Sequence, residues 1–318
     1  MTKSKNNYPL VSIVTVAFKD DKYLPKLLSS IEHLECSKLS LEIIIVSILA
    51  SEKLINVKKI PVKQVRITHR VGYAEAVNMG ISESQGQYLF LPNPDTLVHK
   101  TALKKMVSYL QDHNDVGIVA PKVFLMDEPS RISPFDLPCR YFNKTLGKIL
   151  QVTAEELATI HKPQEVYWLC GNGIIVRKTI WEKVRKYDES FFLYWEDADF
   201  NMKVLSCGYK SVLIPQSRLF HKGFASVGDT ADQVYYIVRN GRYFINKYSS
   251  FPGRFLLHLS NFLVIVSKSF QLFFGTRDRM KTQAFIDGII DFYRGRRGMR
   301  KIRIPNIEAR NGSASSPS

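Results

Sequence analysis

Apolar residues in this chain gather in short continuous blocks. "LVSIVTVAF" (10–18) and "LEIIIVSIL" (41–49) are rich in β-branched residues and read as strands covered on both faces. Between them, "KYLPKLLSSIEHL" (22–34) spaces its apolar residues as a helix does. A weaker strand, "VKQVRITHR" (62–70), a helix of small residues, "GYAEAVNMGISES" (72–84), and a further strand, "GQYLFLPN" (86–93), follow. Buried strands alternating with helices predict an α/β fold with a mostly parallel sheet, and such sheets hold ligands beyond the carboxyl ends of their strands. Residues 125–165 carry several prolines and a short helical stretch near "TAEELATIHK", the pattern of a loop region lying over one face. "YWLCGNGIIVRKTIWEKV" (167–184) resumes a strand, a turn and a helix start, and "GYKSVLIP" (208–215) is another strand.

The character changes after Arg239. "FLLHLSNFLVIVSKSFQLFF" (255–274) is mostly apolar, with His258, Asn261, Lys268 and Gln271 on one helical face. The chain has a formal net charge of +16, and residues 294–303 hold six basic residues and no acid. An amphipathic helix in a bilayer interface, with arginines on lipid phosphates, fits this pattern; a core helix or an oligomer contact is the other reading. The expected division is a catalytic domain over 1–245, an amphipathic and basic helical region over 246–303, and a disordered tail over 304–318. Four scattered cysteines show no metal or disulfide spacing, and the polar N-terminus does not read as a signal peptide. The expected location is the cytoplasm, at the inner face of the plasma membrane.

Four places could carry chemistry. Asp95 follows a strand end in "YLFLPNPDTLV"; a carboxylate there can hold a hard divalent cation, or cap a helix starting near Leu97. "FFLYWEDADFNMKV" (191–204) crowds Glu196, Asp197 and Asp199 beside aromatics, which suits a general base with a raised pKa or an acidic helix N-terminus. His221 in "HKGFAS" could join a metal or a phosphate, or be structural. Gly171 and Gly173 around Asn172 permit close backbone approach to a ligand, or a plain turn into a strand.

The order strand-end Asp, Gly-Asn-Gly, aromatic-Glu-Asp-x-Asp, His resembles the family 2 glycosyltransferases with a GT-A fold, in their rhamnosyltransferase-like branch. "YDESFFLYWEDADF" is the most specific stretch, and Asn93-Pro94-Asp95 stands where the family has Asp-x-Asp. The resemblance implies an inverting enzyme moving a sugar, L-rhamnose from dTDP-rhamnose in first place, to a lipid-linked or polysaccharide acceptor of a bacterial surface glycan. It implies Asp197 as base with Glu196, Trp195 and Asp199 in support, and Asp95 and His221 at a Mg2+ or Mn2+ ion. Ala17, Ser47, Gly72, Tyr73, Asn78, Asn93, Asp95, Gly171, Asn172 and Gly173 would line the donor. Anionic membrane is an expected partner, a homo-oligomer is open, and nucleic acid is not expected because no reader motif accompanies the charge. Two positions depart from the family pattern. Ser47 replaces the acidic residue that contacts the nucleotide base, which leaves an altered donor or a non-catalytic relative as alternatives. Lys186-Tyr187 replaces a common Gly-Phe pair before Asp188.

Overall fold

The computed structural model describes residues 8–19, 21–50, 55, 57–223, 230–275 and 278–301. The expected tail at 304–318 and the end of "HKGFAS" lie outside these residues. Strands β1 (Leu10–Phe18), β2 (Ser40–Ile48), β3 (Val62–Ile67) and β4 (Tyr88–Leu91) run parallel in the order β3-β2-β1-β4. Their continuous apolar runs are explained by a cover on each face. Val14, Val46 and Leu89 pack with helix α2 (Tyr73–Ser82), whereas Ile13, Ile45 and Phe90 pack with α1 (Leu24–Glu32).

Asp95 does not cap a helix at Leu97. It leads into a short strand, β5 (Thr96–Val98), and helix α3 (Ala102–Asp112) begins later. Strand β6 (Val116–Leu125) completes the half of the sheet that carries the site. The region 125–165 is more ordered than its prolines suggest. It holds an antiparallel hairpin, β7 (Cys139–Asn143) and β8 (Lys148–Gln151), then α4 (Ala154–Thr159), whose N-terminus is a capping box between Thr153 and Glu156. Strand β9 (Gln164–Val166) follows, and residues 167–173 are irregular, so the expected strand starts late, as β10 (Ile174–Arg177).

Strand β10 is inserted antiparallel between β4 and β6. This reversal puts the amino end of β10 beside the carboxyl end of β4, and Gly173 N donates to Leu91 O at 2.7 Å. Helices α5 (Lys178–Lys183) and α6 (Glu196–Ser206) then cover the α2 side through Trp181, Phe200 and Val204. Lys186, in the connection before α6, adopts φ +60°, which accounts for the glycine common in that place. Strand β11 (Lys210–His221) pairs parallel with β6 and antiparallel with β5, setting His221 opposite Thr96.

The expected domain boundary at 245/246 falls inside helix α7 (Ala231–Tyr248). Helices α8 (Phe251–Phe274) and α9 (Arg279–Tyr293) fold back on α7, and Gly288 of α9 lies so close that a Cβ there would sit 2.9 Å from the Val238 side chain. Part of the polar stripe of α8 contacts α7 and α9, and of its four residues only Asn261 is buried. Asn261 is fully buried and accepts from Arg242 Nε at 2.6 Å, His258 Nδ1 lies 3.0 Å from the Tyr293 hydroxyl, and Lys268 lies over the Phe285 ring. The apolar residues Phe251, Phe255, Leu256, Leu259, Phe262, Leu263, Val266 and Phe270 are exposed.

Several of the arginines after α9 have partners within the protein. Arg296 pairs with Asp291, Arg297 stacks on Tyr243 at 4.1 Å, and Arg300 bridges Asp232 and Asp287, both at 2.9 Å. The chain folds its own carboxylates from α7 and α9 against this run.

Candidate active site

Antiparallel insertion brings the Gly-Asn-Gly segment to the rim where β4 ends. Asn172 Oδ1 accepts from the Asn93 backbone N–H at 3.1 Å and from Thr96 Oγ1 at 3.0 Å, so it spans both sides of Asp95. Asn172 Nδ2 donates to Asp136 Oδ1 at 3.2 Å. The other oxygen of Asp136 accepts from His221 Nδ1 at 2.8 Å and also takes the Ser133 hydroxyl. His221 Nε2 then faces Asp95 Oδ1 at 3.2 Å. Burial pushes the His221 imidazolium toward the neutral form, but its bonds to Asp136 and Asp95 outweigh this and raise its pKa to about 10.

Asp136 carries no mark of a site residue in the sequence, where it sits inside the proline-containing stretch 125–165 that reads as a loop region over one face. The structure makes it the carboxylate that fixes the far nitrogen of His221, the arrangement that orients metal-binding histidines. Among the described residues no group of three or more His, Cys, Asp or Glu side chains forms a closed metal cage. The carboxylate of Asp95 and, once its proton is displaced, the Nε2 of His221 fit one side of an Mg2+ or Mn2+ shell, which ordinarily takes its other ligands from substrate phosphates and water.

Asp197 reaches the same rim from the N-terminus of α6. Its Oδ2 accepts from the Gly171 N–H at 2.8 Å and its Oδ1 from the Ala198 N–H at 2.7 Å. Burial raises its pKa above the ordinary carboxylate value, partly offset by these two N–H groups, and the Asp136 charge raises it further. Burial, and then the neighbouring Asp197, push Glu196 up to about 8. Tyr73 links the two halves. Its hydroxyl lies 3.4 Å from Asn93 Oδ1, and its pKa is raised by burial and then by the charges of Glu196, Asp197 and Asp95. Acids from residues 95, 136 and 196–197 therefore meet at one edge of the sheet.

The turn that delivers Glu196 and Asp197 is unusual. Phe192, Tyr194 and Trp195 all have positive φ (65°, 65° and 75°). Each such non-glycine residue costs on the order of 1–3 kcal/mol, and such strain concentrates at functional sites. Gly72 makes room for it: a Cβ there would lie 2.6 Å from the Phe192 carbonyl oxygen.

Several expected site residues are engaged elsewhere. Gly72 is packed against the Phe192 backbone. Asn78 donates to Tyr187 O and Glu189 Oε1 (3.0 and 2.9 Å) and accepts from Tyr187 N, which ties α2 to the 187–189 loop. Asp199 is fully buried, and its carboxylate takes Lys247, Tyr248 and Lys203 at 2.6, 2.7 and 3.0 Å; it joins α6 to α7. Trp195 donates from its indole to Ile237 O at 3.0 Å and stacks near Phe244, so it too faces α7. The space beside Gly173, with φ +74°, is filled by Leu219. Ala17 and Ser47 are register partners near the carboxyl ends of β1 and β2, and the Ser47 hydroxyl accepts from Gln64 Nε2 at 3.1 Å.

A mostly parallel sheet with this acidic rim defines an enzyme of the GT-A glycosyltransferase class. Two family models match the chain, "Glycosyl transferase family 2" over residues 12–160 and "Glycosyl transferase family group 2" over residues 93–275. The chain belongs to glycosyltransferase family 2. It is similar to the N-acetylglucosaminyl-diphospho-decaprenol L-rhamnosyltransferase of Mycobacterium tuberculosis, at 32% identity over 74 residues, which cover 23% of this chain and 24% of that protein. It is also similar to the dTDP-rhamnosyl transferase RfbF of Shigella flexneri, at 22% identity over 62% of this chain and 66% of that protein. Among solved structures, GalNAc-T7 with UDP, GalNAc and Mn2+ matches at TM-score 0.61 and 16% identity, covering 91% of this chain and 56% of that one. The mannosyltransferase of Pyrobaculum calidifontis with GDP-Man and Mn2+ matches at TM-score 0.54 and 12% identity, covering 90% and 87%.

Proposed function

We propose that this chain transfers a sugar, with inversion, from a nucleotide-diphospho-sugar to a hydroxyl of a lipid-linked or polysaccharide acceptor in surface glycan synthesis. The favoured donor is dTDP-rhamnose, in line with the names of the two rhamnosyltransferase relatives. The observation that carries the reading is the Asp197 carboxylate, pinned by two backbone N–H groups, one of them from Gly171 next to the Asn172 that brackets Asp95.

Asp197 takes the proton of the acceptor hydroxyl as that oxygen bonds to the anomeric carbon. The bond from that carbon to the diphosphate breaks, and the diphosphate leaves with the electron pair. The raised pKa of Asp197 makes it a stronger base than a solvated carboxylate, and its two N–H partners fix its direction. Glu196 stands beside it without entering the proton transfer. Asp95 and His221 would hold a divalent cation, which when bound neutralises charge on the departing diphosphate. Ser47 and Gln64 present a neutral hydroxyl–amide pair at the base end, where a carboxylate is the family's habit.

We place the enzyme on a membrane surface through the outer face of α8. Eight large apolar side chains face outward there, and each gains roughly 1.5–3 kcal/mol when fully removed from water. Phe251–Leu272 is long and apolar enough to span a bilayer, but the buried Asn261 ties it to Arg242 of α7 and Tyr293 of α9, which favours lying in the interface.

A thermal-shift panel of dTDP, UDP and GDP, with and without Mn2+, tests donor and metal together. A metal-dependent rise with one nucleotide is expected, and so is loss of turnover without loss of that rise in Asp197→Asn. Wild-type turnover in Asp197→Asn would remove Asp197 as the base.

A further inference from the structure

We infer that Asn240 of α7 is a positioning residue for sugar transfer: its side-chain amide clamps the left-handed turn Phe192–Trp195 in the conformation that presents Asp197 at the sheet rim. The inference rests on the reading of Asp197 as the base.

Asn240 is fully buried. Its Nδ2 lies 2.6 Å from the carbonyl oxygen of Phe191, 2.7 Å from that of Leu193 and 3.1 Å from that of Tyr194. Three carbonyls that the turn curls toward Asn240 thus share the two N–H groups of one amide nitrogen. The orientation of the amide is set by its neighbour, since Arg239 Nε donates to Asn240 Oδ1 at 3.0 Å and leaves only the NH2 group to face the turn. Arg239 is itself fully buried and is held by Gly298 O at 2.8 Å and Tyr235 Oη at 3.3 Å.

Every carbonyl from Ser190 to Trp195 has a partner, and Asn240 supplies three of the six. Gly298 N takes Ser190 O at 2.9 Å, Tyr73 N takes Phe192 O at 2.6 Å, and Asp199 N takes Trp195 O at 2.9 Å. The positive φ values at Phe192, Tyr194 and Trp195 would otherwise relax toward the right-handed or extended regions. Glu196 and Asp197 are the next two residues, so a rotation in the turn moves both and swings the Asp197 carboxylate away from the Gly171 N–H. Asn240 touches neither carboxylate and acts only through the backbone that carries them.

The test uses the full chain with Asn240→Ala and Asn240→Asp. Hydrogen exchange by mass spectrometry is read on peptides covering 190–198, with β1 and β2 peptides as the internal reference. Exchange in the turn should quicken by about ten-fold or more while the reference peptides stay unchanged. Release of dTDP from dTDP-rhamnose with Mn2+, measured in parallel, should show kcat lower by about ten- to a hundred-fold, since an ångström of misplacement costs that much, with the donor KM kept within about two-fold. Asn240→Asp should be at least as damaging as Asn240→Ala, because it sets carboxylate oxygens against three carbonyls. Wild-type exchange in the turn overturns the clamp, and so does a uniform rise across all peptides with kcat per folded molecule unchanged. The exchange readout needs no substrate, so it decides the clamp even without turnover on this donor. Asp197→Asn at wild-type turnover, alongside faster exchange in the Asn240 variants, would sink the base assignment and leave the clamp standing.

Discussion

Asp136→Asn isolates the residue that ties the histidine to the rest of the site. In the wild type, Asp136 Oδ2 accepts from His221 Nδ1 at 2.8 Å, which leaves Nε2 aimed at Asp95. An asparagine of the same shape keeps an oxygen for Asn172 Nδ2 and turns its NH2 toward His221. Nδ1 must then become the acceptor, and the ring proton moves to Nε2, the nitrogen that would otherwise hold the cation. Losing such a supporting carboxylate costs roughly 10- to 100-fold in metal affinity. With Mn2+ at a hundred times the wild-type Kd, binding adds about 2.7 kcal/mol of apparent stability. The variant at the same concentration retains about 1.4 kcal/mol for a ten-fold loss and about 0.4 kcal/mol for a hundred-fold loss. At roughly 2 °C per kcal/mol, the Mn2+-induced rise in Tm in the presence of dTDP or UDP shrinks from about 5 °C to about 1–3 °C. Each protein is compared with its own metal-free form, so any stability change from Asp136→Asn itself cancels. A full wild-type Mn2+ shift in this variant would show that His221 does not reach the cation through the nitrogen that faces Asp95.

Four further outcomes are expected. Glu196 has its pKa raised by burial from 4.5 to about 8, so its ionisation opposes folding increasingly as pH rises through that window; Glu196→Gln should match the wild-type Tm near pH 4.5 and exceed it by a growing margin up to pH 8, and a pH-independent difference would count against the burial argument. Gly72→Ala drives a Cβ to within 2.6 Å of Phe192 O, and denaturant unfolding should show a loss of about 1–3 kcal/mol together with reduced kcat; a neutral variant would mean the turn moves freely. Lys186→Gly relieves a left-handed lysine and should stabilise by about 1 kcal/mol in the same assay, whereas destabilisation would mean the Lys186 side chain contributes more than its backbone costs. The combined change Phe255→Ser, Phe262→Ser and Phe270→Ser alters only exposed positions, so Tm should hold while co-sedimentation with phosphatidylglycerol-containing vesicles is lost; undiminished co-sedimentation would remove the α8 face as the membrane contact.

The layered α/β architecture follows from local pattern alone, because β1, β2 and β4 carry largely apolar runs that only a sheet covered on both faces can bury. Local pattern also marked Asp95, Asn172, Asp197 and His221 as candidates, since strand ends and helix starts are punctuated by short-range residue choices. What it could not carry was partnership across distance. Asp136 sits in a stretch with no periodicity, and it matters only because β11 and β10 bring His221 and Asn172 to it. Asn78 and Asp199 look like site residues by spacing, yet their polar atoms are taken up by the 187–189 loop and by α7. The same holds for α8, whose amphipathic pattern was plain while its orientation was not. Asn261 is the stripe residue that is buried, between Arg242 of α7 and the hydroxyl of Tyr293 in α9, because an unpaired polar group in a helix bundle costs more than an apolar one left at the surface. Local pattern follows from bonded geometry and solvent; which side chains meet follows from topology, and that was fixed only when β10 entered the sheet in reverse.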